Sequence, residues 1–113
     1  MGAPMRDSYL RAERDEEGWT AWRTTKKGYV ERSRVVNGRQ EFQAQHRAVM
    51  SEHLGRPLLR EEEPHHKNGD RADNRLSNLE LWSTRQPKGQ RVEDKVEFAL
   101  EILALYAPEK LAS

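Results

Sequence analysis

Apolar residues are sparse along this chain, and where they recur their period changes. Between Trp19 and Phe42 they are threaded through basic positions, with Trp19, Trp22, Tyr29, Val30, Val35 and Val36 interleaved among Arg23, Lys26, Lys27, Arg32 and Arg34. This spacing predicts a pair of strands. Val36-Asn37-Gly38-Arg39 reads as their connection, because Asn-Gly in a two-residue loop favours the type I′ turn that fits strand twist. Val35 and Phe42 then face the core. From Gln43 to Leu54 the pattern turns helical, with Val49, Met50 and Leu54 on one side, Gly55 placed to end the helix and Pro57 blocking its continuation. A longer helical repeat of Val92, Val96, Ala99, Leu100 and Leu103 runs to Tyr106, with Glu93, Asp94, Glu97 and Glu101 opposite and Pro108 as its stop. Between the helices, Glu63–Lys67 and Asn78–Trp82 read as strands joined by a loop over Asn68–Ser77. Ahead of Trp19 there is no apolar stripe, and Ser8–Glu17 is either a short exposed helix or disordered.

Length and composition narrow the class. A chain of 113 residues makes one small domain, able to bury roughly two-thirds of its unfolded surface. The expected organisation is a polar segment at 1–18, a domain at 19–107 and a short tail at 108–113. Hydrophobic and charged residues each make up 35% of the sequence, so the core is small. The absence of cysteine removes disulfides and cysteine-based zinc sites. No apolar run approaches a membrane span and no signal-peptide pattern opens the chain, so a soluble, cytoplasmic protein with no membrane partner is expected.

The net charge of +1 conceals a pattern. Residues 1–17 carry −2, residues 18–60 carry +6, residues 61–92 are neutral and residues 93–113 carry −3. A basic middle between acidic ends suits a polyanion, since Lys and Arg contacts to phosphate supply most sequence-independent nucleic-acid affinity. Arg23, Lys26, Lys27, Arg32, Arg34, Arg47 and Arg75 are the candidate DNA contacts. A solvated basic hairpin without a partner has the same composition, and the aromatic residues among these charges serve either the core or base stacking.

The densest chemistry lies in EPHHKNGDRADNRLSNLELW, residues 63–82. So many His, Asn and Asp side chains would each need hydrogen-bond partners that an apolar core cannot supply. His65, His66, Asn68, Gly69, Asp73, Asn74, Arg75, Asn78, Leu79, Glu80 and Trp82 stand at fixed offsets that resemble the HNH endonucleases, most closely compact phage-type members. Softer similarity extends upstream from His46 to Leu59 and downstream from Gln86 to Tyr106. The resemblance implies an α+β domain: a β-hairpin, a helix, and a ββα-metal finger closed by the long C-terminal helix. It also implies a hairpin that presents a base and a divalent cation, magnesium or manganese, to one DNA phosphate.

Phosphodiester hydrolysis requires an activated water, stabilised phosphoryl oxygens and help for the leaving 3′ oxygen. His66 falls at the base position of the family motif, and a neutral imidazole can accept a proton from water at physiological pH once a neighbour fixes its tautomer. His65 falls at a metal-ligand position. Adjacent strand residues point to opposite faces, so His65 and His66 meet one phosphate only if the strand end is irregular, as Pro64 and the following turn would allow. Asn78 lies near the asparagine position whose amide holds the loop and orients the base, and Asn74 is an equal candidate for holding the loop. The last family ligand is usually His or Asn; here the nearest residue is Gln90, a neutral hard donor suited to weak magnesium or manganese binding. His46 and His53, seven residues apart on one helix, lack the four-residue spacing of a zinc pair and read as structural. The expected function is therefore a metal-dependent DNA endonuclease. The alternatives are a non-catalytic DNA-binding or phage packaging-associated module on the same scaffold, and a regulatory protein that binds a partner through Val92–Tyr106.

Overall fold

A computed structural model describes residues 14–112. The chain divides into two compact units, Met1–Ser83 and Thr84–Ser113. Most of the expected Ser8–Glu17 segment lies outside the described residues. Its last positions form a turn rather than a helix, because the Asp15 carboxylate accepts the backbone N–H groups of Glu17 and Trp19, each at 2.9 Å.

The first unit holds two antiparallel sheets and a helix. Strands β1 (Arg23–Thr24), β2 (Val30–Val36) and β3 (Arg39–Ala44) form a three-stranded sheet in the order β1-β2-β3. The β2–β3 turn takes the expected left-handed conformation, with φ of 51° at Asn37 and 78° at Gly38. Helix α1 (Gln45–Leu54) follows directly and ends as expected on Gly55, whose φ of 73° lets its N–H reach back to the carbonyls of Ser51 and Glu52. Strands β4 (Glu62–His66) and β5 (Leu79–Ser83) form a two-stranded hairpin, each displaced by about a residue from its expected span. Helix α1 lies against both sheets.

Val35 and Phe42 do not face the core; they are 60% and 59% exposed. Strand β1 pairs only with Val30 and Glu31, so the turn end of the β2–β3 hairpin has no third strand beside it. Among the described residues, Trp19, Met50, Pro64 and Leu79 are buried. Trp19 is roofed by the guanidinium groups of Arg32 and Arg34, 4.8 and 4.3 Å from its ring centre, and Arg32 also lies 4.4 Å from the Trp22 ring. Long cationic side chains thus cover aromatic surface that so short a chain has few aliphatic residues to cover.

Glu62, at the start of β4, is completely buried. Its carboxylate accepts both Arg56 Nη groups at 2.7 and 2.9 Å and the Leu59 N–H at 2.7 Å. Its backbone carbonyl accepts Arg47 Nη1 at 3.0 Å. A buried carboxylate costs several kcal/mol unless it is so paired. The pairing anchors the first strand of the hairpin to α1 and to the loop that follows it.

In the second unit, α2 (Val92–Tyr106) matches the expected long helix and is followed by a 3₁₀ turn at Pro108–Lys110. The Asp94 carboxylate accepts the Arg91 backbone N–H at 3.3 Å, placing a negative charge at the positive end of the helix dipole. A Cβ on Gly89 would stand 2.6 Å from that carboxylate, so a larger residue there would displace the Asp94 side chain. Along the apolar stripe, Val92, Val96 and Leu100 are exposed. No helix among the described residues is long and apolar enough to cross a membrane.

Candidate active site and nucleic-acid interface

The β4–β5 hairpin brings the motif residues together. Beyond β4 the chain turns sharply: Gly69 adopts a φ of 77° and donates to the His66 carbonyl at 3.1 Å, while the Asn68 side chain accepts the Asp70 N–H at 2.8 Å. Asn78 is buried and ties this loop down. Its amide nitrogen donates to Asn68 Oδ1 at 3.0 Å and to the Asp73 carbonyl at 2.8 Å, and its Oδ1 accepts the Asn68 N–H at 3.2 Å. Asp73 in turn receives Arg75 at 2.8 and 2.7 Å. That guanidinium, bonded directly to it, holds the Asp73 carboxyl well below the usual carboxylate range.

The loop held by Asn78 delivers Asn74 to His66. His66 Nε2 and Asn74 Oδ1 are 2.6 Å apart, and Asn74 Nδ2 donates to Gln45 Oε1 at 2.9 Å. An amide oxygen can only accept, so Nε2 carries the hydrogen and Nδ1 keeps the lone pair. The two asparagines thus divide the labour: Asn78 holds the loop and Asn74 contacts the imidazole.

His65 is placed differently. Strand β4 is regular through its last pair, His66 with Leu79, so the irregular strand end expected from Pro64 is absent. His65 stacks on Trp82 with centroids 4.0 Å apart and planes at 10°. Its Nε2 stands 3.7 Å from a Glu63 carboxylate oxygen. Both histidines nevertheless line one open cleft, together with Glu63, Thr25, Tyr29, Glu31 and His46. Its volume of about 900 Å³ is at the upper end of the usual range of roughly 300–1,000 Å³ for ligand sites. A polymer segment fills such a space better than a single ion does.

Four basic residues border this cleft, Lys26, Lys27, Arg47 and Arg71. Three of them come from the candidate DNA contacts or its basic segment; Arg71 was not anticipated, because it lies in the charge-neutral stretch. Arg71 reaches across from the motif loop, donating to the Lys27 carbonyl at 2.9 Å and lying 4.7 Å from the Tyr29 ring centre. Of the other candidate DNA contacts, Arg32 bonds Gln43 at 2.7 Å and Arg34 bonds Glu41 at 3.0 Å while roofing Trp19. Arg23 bonds Ser33 at 3.3 Å, and Arg75 is exposed on Asp73. None of these four borders the cleft.

His46 is the other unanticipated neighbour. It stands at the start of α1, stacked on Tyr29 at 5.6 Å and 5.2 Å from the His66 ring. Burial foremost, then the nearby His66, lowers its pKa to about 4. His53, two turns on, is exposed. Only the packing of α1 against the hairpin separates these two histidines, which no spacing within the helix could do.

Among the described residues no three His, Cys, Asp or Glu side chains gather as a metal cage. Two donors of the kind a weak site uses do adjoin, since His65 Nε2 and the Glu63 carboxylate are separated by 3.7 Å, a distance at which both can ligate one cation while water and phosphate complete its shell. Gln90 lies in the second unit, just ahead of α2.

Comparison with curated proteins and with solved structures returned no match. Residues 43–88, from the end of β3 through the hairpin and just beyond it, match the family model for HNH endonucleases, so this segment of the chain is similar to that family.

Proposed function

We propose that the protein is a DNA endonuclease in which His66 is the general base. The observation that carries this reading is the His66–Asn74 contact of 2.6 Å, which assigns the proton to Nε2 and leaves Nδ1 to accept one from water. Asn74 fixes the tautomer, Gln45 fixes Asn74, and Asn78 holds the loop that carries it. Lys26, Lys27, Arg47 and Arg71 attract the phosphate backbone to the same cleft. His65, with Glu63 beside it and Gln90 from the approach to α2, is the proposed ligand set for magnesium or manganese. When bound, that cation supplies positive charge for the phosphoryl and leaving oxygens. The nuclease domain on this reading spans residues 19–107. DNA as partner, a cytoplasmic setting and a phage packaging assembly are consistent extensions of it.

The test is plasmid cleavage by wild type and His66→Ala in magnesium, manganese, zinc and EDTA. Wild type should cleave only with metal, and the variant should lose about 10²-fold or more in rate while binding DNA normally. Salt-sensitive DNA binding without cleavage in any metal would replace the enzyme by a DNA-binding module.

A further inference from the structure

We propose that His46 is a second catalytic residue: its Nε2–H donates to a non-bridging oxygen of the phosphate held in the cleft, beside the water that His66 deprotonates. The proposal rests on the endonuclease reading and assigns it a residue outside the motif that carries the His66 base. Two side chains fix the ring. Tyr29 stacks on it with centroids 5.6 Å apart and planes at 28°, and His66 leans against it at 5.2 Å and 48°.

The proton's position follows from burial. His46 Nδ1 is buried and has no hydrogen-bond partner among the described residues. A buried N–H left without an acceptor costs about 1–3 kcal/mol, and orphaned donors are rarer than under-satisfied acceptors. The hydrogen therefore sits on Nε2. That atom also lacks a partner among the described residues, yet it is not among the buried atoms, so it opens to the cleft that the residue lines. An uncommitted donor consequently points where a phosphate oxygen would lie.

The chemistry suits the reaction. As water attacks, negative charge grows on the non-bridging oxygens, and a donor fixed in advance stabilises it without reorganisation. Charging the ring would be opposed by its burial, so the donor acts as a neutral imidazole and keeps its proton throughout.

Packing alone would also place a histidine here, and two substitutions separate the roles. Phe in place of His46 keeps a flat ring against Tyr29 and His66 but has no N–H; Gln sacrifices the ring but brings an amide N–H near the position of Nε2. The experiment measures kcat and KM for metal-dependent plasmid cleavage near pH 7.5 with wild type, His46→Phe and His46→Gln. Donation predicts that His46→Phe loses about 10²-fold in kcat with little change in KM, while His46→Gln recovers most of the rate. The reverse order, with Phe active and Gln impaired, would overturn the inference in favour of packing, as would equal activity in all three.

If His46→Phe does not fold, His46→Ala carries the test. Rescue by added imidazole but not by N-methylimidazole, which has no N–H, supports donation; rescue by neither overturns it. Wild type that cleaves in no metal would overturn the endonuclease reading itself and this inference with it, whereas an active wild type beside an unimpaired His46→Phe overturns this inference alone.

Discussion

Replacing Asn74 with alanine removes the oxygen that fixes the His66 tautomer while leaving the base in place. His66 loses its 2.6 Å partner, and Gln45 loses the amide that donates to it at 2.9 Å. A hydrogen bond of this kind is worth about 0.5–1.5 kcal/mol net. Since each 1.4 kcal/mol is tenfold in an equilibrium constant, losing this preference shifts the tautomer ratio by about 2- to 10-fold, and with the two tautomers otherwise balanced the fraction of His66 with a free Nδ1 lone pair falls by up to about 2-fold. That predicts a kcat loss of the same size, well short of the roughly 10²-fold expected for His66→Ala. Because Asn74 is buried, the variant should also lose about 1–3 kcal/mol of stability, visible as a lower Tm. Single-turnover cleavage at saturating DNA isolates the chemical step, and a double-mutant cycle tests the mechanism. If Asn74 acts through His66, removing it in the His66→Ala background costs no further rate. An undiminished kcat in Asn74→Ala, or an equal additional loss in the double variant, would refute the tautomer argument.

Further outcomes are expected. Replacing Lys26, Lys27, Arg47 or Arg71 by Ala should lower the slope of log affinity against log salt by about one unit for each true phosphate contact, measured by fluorescence anisotropy with labelled duplex. Arg32→Ala and Arg34→Ala should instead lower Tm, because these side chains roof Trp19. Gln90→Ala should raise the magnesium concentration for half-maximal cleavage and Gln90→Asn should lower it; coincident titration curves would remove Gln90 from the ligand set. The lowered pKa of His46 also has a stability consequence: between pH 6.5 and about 4 the unfolded chain binds the proton that the folded state resists, so stability rises with pH across this window and is lost as pH falls through it. Thermal unfolding from pH 7 to 4 should show that loss in wild type and a smaller one in His46→Phe.

The local code was legible wherever neighbours in sequence are neighbours in space. The Asn37-Gly38 turn, the Gly55 stop of α1, the span of α2 and the spacing of the site motif all follow from φ preferences and periodicities of a few residues. The tautomer of His66, the approach of His46 and the crossing of Arg71 to the Lys27 carbonyl were not legible. The first depends on how the hairpin loop folds Asn74 back onto the ring; the other two join positions far apart in sequence, and only the packing of α1 and the β1–β2 turn against the hairpin brings them together. Burial escaped the pattern for the same reason: Val35 and Phe42 have the right alternation but no third strand beside them, whereas Glu62, charged and seemingly a surface residue, is enclosed because Arg56, Leu59 and its own carbonyl's bond to Arg47 satisfy it. Sequence by itself determined which chemistry the chain carries and which turns and helices present it. Tertiary structure decided which of those groups share one cleft, because proximity across a fold depends on how its elements pack and on no single stretch of residues.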